Sequence, residues 1–205
     1  AAPCGDPPRR WSRSFAAHRG DAELGELFQQ YAADGAIRPE GLAKLLGDLG
    51  IADLDDVRAL WVAMRLNARD LTVEREDFAA AFRGVGATTL KDFAAAIPGD
   101  PLADAAGAKA LFAFAFAANV EPRQRRIDKE TAARLVMLFF PKNALAGRFL
   151  AFLRRDTTQA MNRDEWVTLY DLLTEVDADL AGYDATACWP VLFDAFVDAA
   201  RAGTV

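Results

Sequence analysis

One histidine, His18, and two cysteines, Cys4 and Cys188, are the only imidazole and thiols in the 205 residues. A zinc site needs three or four such ligands, so no Cys/His set can build one. A nucleophile–base pair could use only His18, which stands in a leader rich in Pro and Arg. Histidine-based catalysis is therefore not expected. Cys188 precedes Trp189 and Pro190, near a helix start where a thiolate can be stabilised. Its sequence neighbours are acidic, however, and local like charge opposes ionisation, so a structural thiol is expected. Two distant cysteines do not make a disulfide framework either, which fits a reducing compartment.

Carboxylates are the abundant chemical groups. Between Asp164 and Asp198 stand nine acids (Asp164, Glu165, Asp171, Glu175, Asp177, Asp179, Asp184, Asp194, Asp198) and no Lys or Arg. Two of them facing across a pocket could do acid–base work, but nothing in the spacing sets such a pair. Trp166, Tyr170, Tyr183, Trp189 and Phe193 interleave the run. It reads as either a solvated acidic face or a docking surface for a basic protein. In the second case charge sets rate and register, and aromatic anchors supply binding energy. Arg123, Arg125 and Arg126 form a short basic cluster that reads as solvated surface. Leu111, Phe112, Phe114 and Phe116, with Leu135, Met137, Leu138, Phe139 and Phe140, read as core.

These groups need a frame, and the composition supplies one. The chain is 52% apolar and 10% aromatic, which is enough for one large domain or two small ones sharing a core. Net charge is −6, which disfavours general nucleic-acid binding. The longest uncharged apolar stretch, residues 110–120, is about half of what spans a bilayer, and no secretory signal pattern opens the chain. Residues 1–20 read as a flexible, basic, Pro-rich segment. From Asp21, a plausible cap, helical spacing takes over with Leu24, Leu27, Phe28 and Tyr31. Further helices are expected near 41–49, 55–67, 76–83, 89–96, 108–119, 129–140, 144–154, 164–176 and 190–201. No sustained period-two alternation occurs, so the expected class is all-α.

Helix ends are chemically explicit. Asn162 and Glu165 have the spacing of a capping box, and Trp166, Leu169, Leu173 and Val176 follow as one apolar stripe. Pro190 suits the opening of the last helix and Gly203 its stop.

A repeat organises the whole. A short connection carrying one apolar residue, then polar and acidic residues before a helix, recurs at Ile37, Val73, Ile127 and Met161, with spacings of 36, 54 and 34. The two spacings near 35 match the pitch of paired EF-hand loops, and Asp34-Gly35-Ala36-Ile37 echoes their central Gly-x-Ile. Two EF-hand-like helix–loop–helix pairs, packed into one helical domain, are therefore expected. Calcium binding is not. Aligned on the repeat residue, the first loop offers Gln30, Ala32, Asp34 and Gly41, the second Leu66, Ala68, Asp70 and Asp77. The third offers Val120, Pro122, Gln124 and Thr131, the fourth Arg154, Asp156, Thr158 and Glu165. The first ligand position is never acidic, whereas calcium needs about six oxygens.

Tyr183-Asp184, followed by Trp189-Pro190-Val191-Leu192-Phe193-Asp194-Ala195-Phe196-Val197, resembles the C-terminal signature of the defective-in-cullin-neddylation family, the potentiating-neddylation domain. Arg163-Asp164-Glu165-Trp166 resembles its helix start. Gly41-Leu42 with Leu45 and Asp48-Leu49, Asp77-Phe78 before Gly86–Leu90, Lys91 leading to Ile97-Pro98, and Phe112–Phe116 before Ala117 follow in order. The resemblance covers about residues 27–200. It implies a potentiating-neddylation domain over 21–203, with EF-hand-like halves at about 21–84 and 108–203 and a linker at 85–107.

The resemblance also implies a function without an active site. Such a scaffold binds a cullin's C-terminal winged-helix region and the N-acetylated conjugating enzyme of the neddylation pathway, and it promotes modifier transfer by proximity. The family's cullin patch is Asp, Ala, Asp. It maps to Asp164, Cys188 and Asp194, so Cys188 departs from the pattern. The acetyl-methionine pocket maps to Leu42, Ala59, Val62, Ala63, Leu71, Phe116, Leu135 and Leu138. No cofactor, metal, nucleic acid or membrane is implied. A monomer in nucleus, cytoplasm or both is expected. The alternative reading is an EF-hand-like regulatory protein that binds a basic partner, with or without calcium.

Overall fold

The computed structural model of the chain describes residues 10–53, 55–120, 125–155 and 160–205. Cys4, Arg123 and the loop positions Pro122, Gln124, Asp156 and Thr158 lie outside them. The chain divides into two compact units. The first runs to residue 54 and resumes at Trp61–Gly99; the second joins Asp55–Leu60 to Asp100–Val205. Among the described residues, no helix is long and apolar enough to cross a membrane.

In the first unit, α1 (Arg10–Gln29) leads to strands β1 (Ala32–Ala33) and β2 (Ala36–Ile37) and to α2 (Pro39–Asp48). Helix α3 (Val57–Arg65) begins in the second unit and ends in the first. Strand β3 (Val73–Glu74), α4 (Arg75–Gly84) and α5 (Leu90–Ala96) complete it. Asp21, the expected cap, lies inside α1 and pairs with Arg83 of α4 at 2.7 Å. No proline follows Pro8 in this stretch, so nothing in the sequence stops the helix from extending back to Arg10. The core is a chain of rings. Phe28 meets Phe78 edge-on, Phe78 stacks on Phe82 and Phe82 on Phe93, with centroids 5.6, 4.5 and 4.4 Å apart.

In the second unit, α6 (Ala105–Asn119), β4 (Arg126–Asp128), α7 (Lys129–Phe139), α8 (Ala144–Arg155), β5 (Ala160–Asn162), α9 (Arg163–Glu175) and α10 (Val191–Arg201) follow in order. Side chains satisfy the first-turn amides that a helix leaves open. Asp104 accepts from Gly107 N–H at 2.7 Å and Asp128 from Thr131 N–H at 2.8 Å. The Asn162–Glu165 capping box forms in both directions, at 3.0 and 2.7 Å. Gly203 takes φ +69° and ends α10 as expected. Arg148 reaches the carbonyls of Ala178 and Ala200 at 2.6 and 2.9 Å, tying α8 to the end of α10 and to the segment after α9.

The helical class holds, with a correction: among the described residues, five strands of two or three residues accompany the helices. Strands β1, β2 and β3 form one antiparallel sheet and β4 with β5 another. They are too short to show alternation in the sequence. Each of the four repeat residues lies in a strand, where Ile37 faces Val73 and Ile127 faces Met161. All four are buried. Met137, expected in the core, is 46% exposed, because α7 turns Leu135, Val136 and Phe139 inward instead.

Candidate partner-binding surfaces

The acidic run folds as α9, the loop after it and most of α10, all in the second unit. Several of its carboxylates have structural work. Glu165 closes the capping box, and Asp171 pairs with Lys109 of α6 at 2.5 Å. Asp179 accepts from Ala181 N–H at 2.9 Å. Asp184 accepts from the Thr186 hydroxyl and amide at 2.7 and 2.8 Å, which holds its carboxyl below the usual carboxylate range. Asp164 is different. It lies exposed on the first turn of α9 and makes no hydrogen bond or ion pair among the described residues.

Cys188 and Asp194 flank the start of α10. Cys188 is an exposed free thiol. Trp189 beside it stacks on Tyr183, with centroids 5.3 Å apart and planes 23° from parallel, and donates its indole N–H to the Asp184 carbonyl at 2.9 Å. The Tyr183 hydroxyl donates to Asp194 Oδ1 at 2.6 Å. Burial, then this carboxylate, pushes the Tyr183 phenol well above its ordinary value. Val191, the first residue of α10, is 82% exposed. The local fold thus groups Cys188, Trp189, Val191 and Asp194, while no hydrogen bond, ion pair or ring contact links Asp164 to them. The Tyr183–Asp194 bond was not legible from the sequence. Its partners stand eleven positions apart across a loop and a helix start.

The expected pocket residues divide between the units. In the first, Leu42 and Val62 are buried, Ala63 is half-buried and Leu71 is 54% exposed. Leu71 forms, with Asp70, a two-residue turn closed by Arg69 and Thr72, and its φ is +56°. In the second unit Ala59, Phe116 and Leu135 are buried and Leu138 is half-buried. Leu138 lines a cleft of about 440 Å³ with Asp55, Arg134, Met137 and Pro141. Arg134 donates to Asp55 and to the side-chain Oδ1 of Asn119, both at 3.4 Å. A second cleft of about 500 Å³ lies over Ala133, Leu150 and Leu153, rimmed by Lys129, Glu130 and Arg154.

The second unit thus carries an exposed carboxylate, Asp194, backed by the stacked rings of Tyr183 and Trp189. The model of the cullin binding family matches residues 90–199, more than half of the chain. The chain is 31% identical to the defective in cullin neddylation protein 1 of Eremothecium gossypii, over 89% of its own length and 77% of the relative's. It is 30% identical to DCN1-like protein 2 of Dictyostelium discoideum, over 80% and 62%. To human DCN1-like protein 5 it is 27% identical, over 83% and 74%. The chain belongs to the cullin-binding, defective-in-cullin-neddylation family. It spans about three quarters of the first of these relatives and less than two thirds of the second.

Proposed function

We propose that this chain is a non-catalytic scaffold for cullin neddylation. It would hold a cullin through its C-terminal winged-helix region, and the N-acetylated conjugating enzyme, so that the modifier is transferred by proximity. One observation carries the reading: the family match over residues 90–199 contains Asp164, Cys188 and Asp194, and all three are exposed. Asp164 and Asp194 would each receive a cullin Lys or Arg. Cys188, in place of the family's Ala, adds a little volume between them in sequence and would tune cullin choice. The acetylated methionine would be received by the residues that the resemblance names, Leu42, Ala59, Val62, Ala63, Leu71, Phe116, Leu135 and Leu138. The scaffold would act as a monomer, in nucleus, cytoplasm or both.

The pairing of Ile37 with Val73 and of Ile127 with Met161 supports reading the loops as EF-hand-like pairs. Calcium would have no seat in the first of them. At its last ligand position stands Gly41, where even a Cβ would meet the Tyr31 carbonyl oxygen at 2.0 Å.

Calorimetry with the conjugating enzyme's N-terminal peptide, with and without its acetyl group, tests the scaffold reading. The acetylated peptide alone should bind, because a charged ammonium is costly to bury unpaired. Silence from both peptides would remove the conjugating-enzyme half of the proposal.

A further inference from the structure

We infer that Tyr183 is a positioning residue for Asp194: its buried ring fixes a hydroxyl that holds one carboxylate oxygen, so that the other is presented to a cation on the partner. The inference rests on the scaffold reading, in which Asp194 meets the cullin. Without a fixed donor, a carboxylate on an exposed first turn samples several rotamers and must be ordered on binding, which weakens association. Here the donor is rigid. The Tyr183 ring is 7% exposed, stacks on Trp189, and has the Arg201 guanidinium 5.9 Å from its centroid. The turn beneath it is set by buried Leu180 at φ +62°, whose carbonyl accepts from Tyr183 N–H at 3.3 Å. The hydroxyl therefore arrives at Asp194 Oδ1 at 2.6 Å from a side chain with little freedom to move. Oδ2 makes no hydrogen bond among the described residues. One turn back, three residues before Asp194 on the same helix face, Val191 is 82% exposed. The surface thus fits a Lys or Arg whose apolar stem lies along Val191 and whose charge ends at Oδ2.

Calorimetry of four proteins with a recombinant cullin C-terminal winged-helix region tests this: the parent chain, Tyr183→Phe, Asp194→Asn and the double variant. Tyr183→Phe should weaken binding about five- to tenfold in the parent and about twofold or less beside Asp194→Asn, because no charge then remains to be aimed. An equal loss in both backgrounds, or no loss in the parent, overturns the inference. Should Tyr183→Phe melt early, Asp194→Glu serves instead: it keeps the charge and moves it by one methylene, and undiminished binding overturns the inference. Normal binding by Asp194→Asn would remove the scaffold reading of Asp194 itself. Weak binding by Asp194→Asn with normal binding by Tyr183→Phe would remove only the positioning role.

Discussion

The indole of Trp166 lies flat on the ring of Phe112, with centroids 4.1 Å apart and planes 5° from parallel, and its N–H donates to the Phe112 carbonyl at 2.7 Å. Trp166 is fully buried, so this single side chain fastens the first turn of α9 to α6. Asp164 stands two residues earlier on that turn. Trp166→Phe removes the donor and part of a packed ring, and should cost about 2–3 kcal/mol, lowering the melting temperature by roughly 5–10 °C. A thermal melt reads it directly, and an unchanged midpoint would show that α9 is anchored elsewhere.

Gly41 is a helical glycine with no room for a side chain. A Cβ there would stand 2.0 Å from the Tyr31 carbonyl oxygen and 3.2 Å from Ile37 Cγ2. The obstacle is backbone, so it cannot swing away. Gly41→Ala should lose about 3 kcal/mol in urea unfolding. Gly47, on the same helix, has nothing within 4 Å of its Cβ position, and Gly47→Ala should gain about 0.5–1 kcal/mol. Equal midpoints for the two variants would contradict the close approach.

Much of this frame was legible in the residues. The Asn162–Glu165 box and the apolar stripe behind Trp166 follow from spacing of three or four, and the Gly203 stop from residue type alone. The repeat at Ile37, Val73, Ile127 and Met161 was visible too. That these residues face one another in two small sheets was not, because strands of two or three residues leave no alternation to read. Site geometry was the least legible part. Tyr183 and Asp194 meet across a loop whose course depends on Leu180 in the left-handed region and on Asp184 folding back to Thr186. Met137 was misplaced for the opposite reason: in a run as apolar as Leu135–Phe140, helical period alone does not say which face turns outward.

Leu71 sits in the left-handed region at φ +56°, preceded by Asp70 at φ +48°, in a turn that favours Asn or Gly. For leucine this conformation costs roughly 1–2 kcal/mol, and half of its side chain is in water. Leu71→Gly relieves the strain and restores only part of it as chain entropy, so stability should rise by about 0.5–1 kcal/mol. If Leu71 contributes to receiving the acetylated peptide, the same variant should bind that peptide several-fold more weakly. Urea unfolding and peptide calorimetry on one preparation separate the two effects. A loss of stability would refute the strain argument.

All three tyrosines of the chain are raised above the ordinary phenol value. Burial is the first cause at each. At Tyr31, which donates to Asp48 at 2.9 Å, burial and that carboxylate push the phenol up to about 12. A folded pKa above the unfolded one contributes stability that is whole below about pH 10 and is lost as pH climbs through the folded value. Absorbance at 295 nm should therefore stay flat through pH 10 in the native protein and rise there in urea. A native titration centred at 10 would mean that the hydroxyls are open to water.

Charge reversal separates binding from folding most cleanly at Asp164. That carboxylate has no partner to lose, and Asp164→Lys sacrifices only its favourable place on the first turn of α9, about 0.5–1 kcal/mol. Asp194→Lys also strands the buried Tyr183 hydroxyl, and should cost about 1–3 kcal/mol more. On the scaffold reading both reversals would put like charge against a basic cullin surface, so both should weaken binding at least about tenfold. Asp194→Asn keeps an acceptor for Tyr183 and removes only the charge. It should melt close to the parent while binding less well. Calorimetry beside a melt for each variant reads the two effects apart. Normal cullin binding by Asp164→Lys would place the contact elsewhere on the domain.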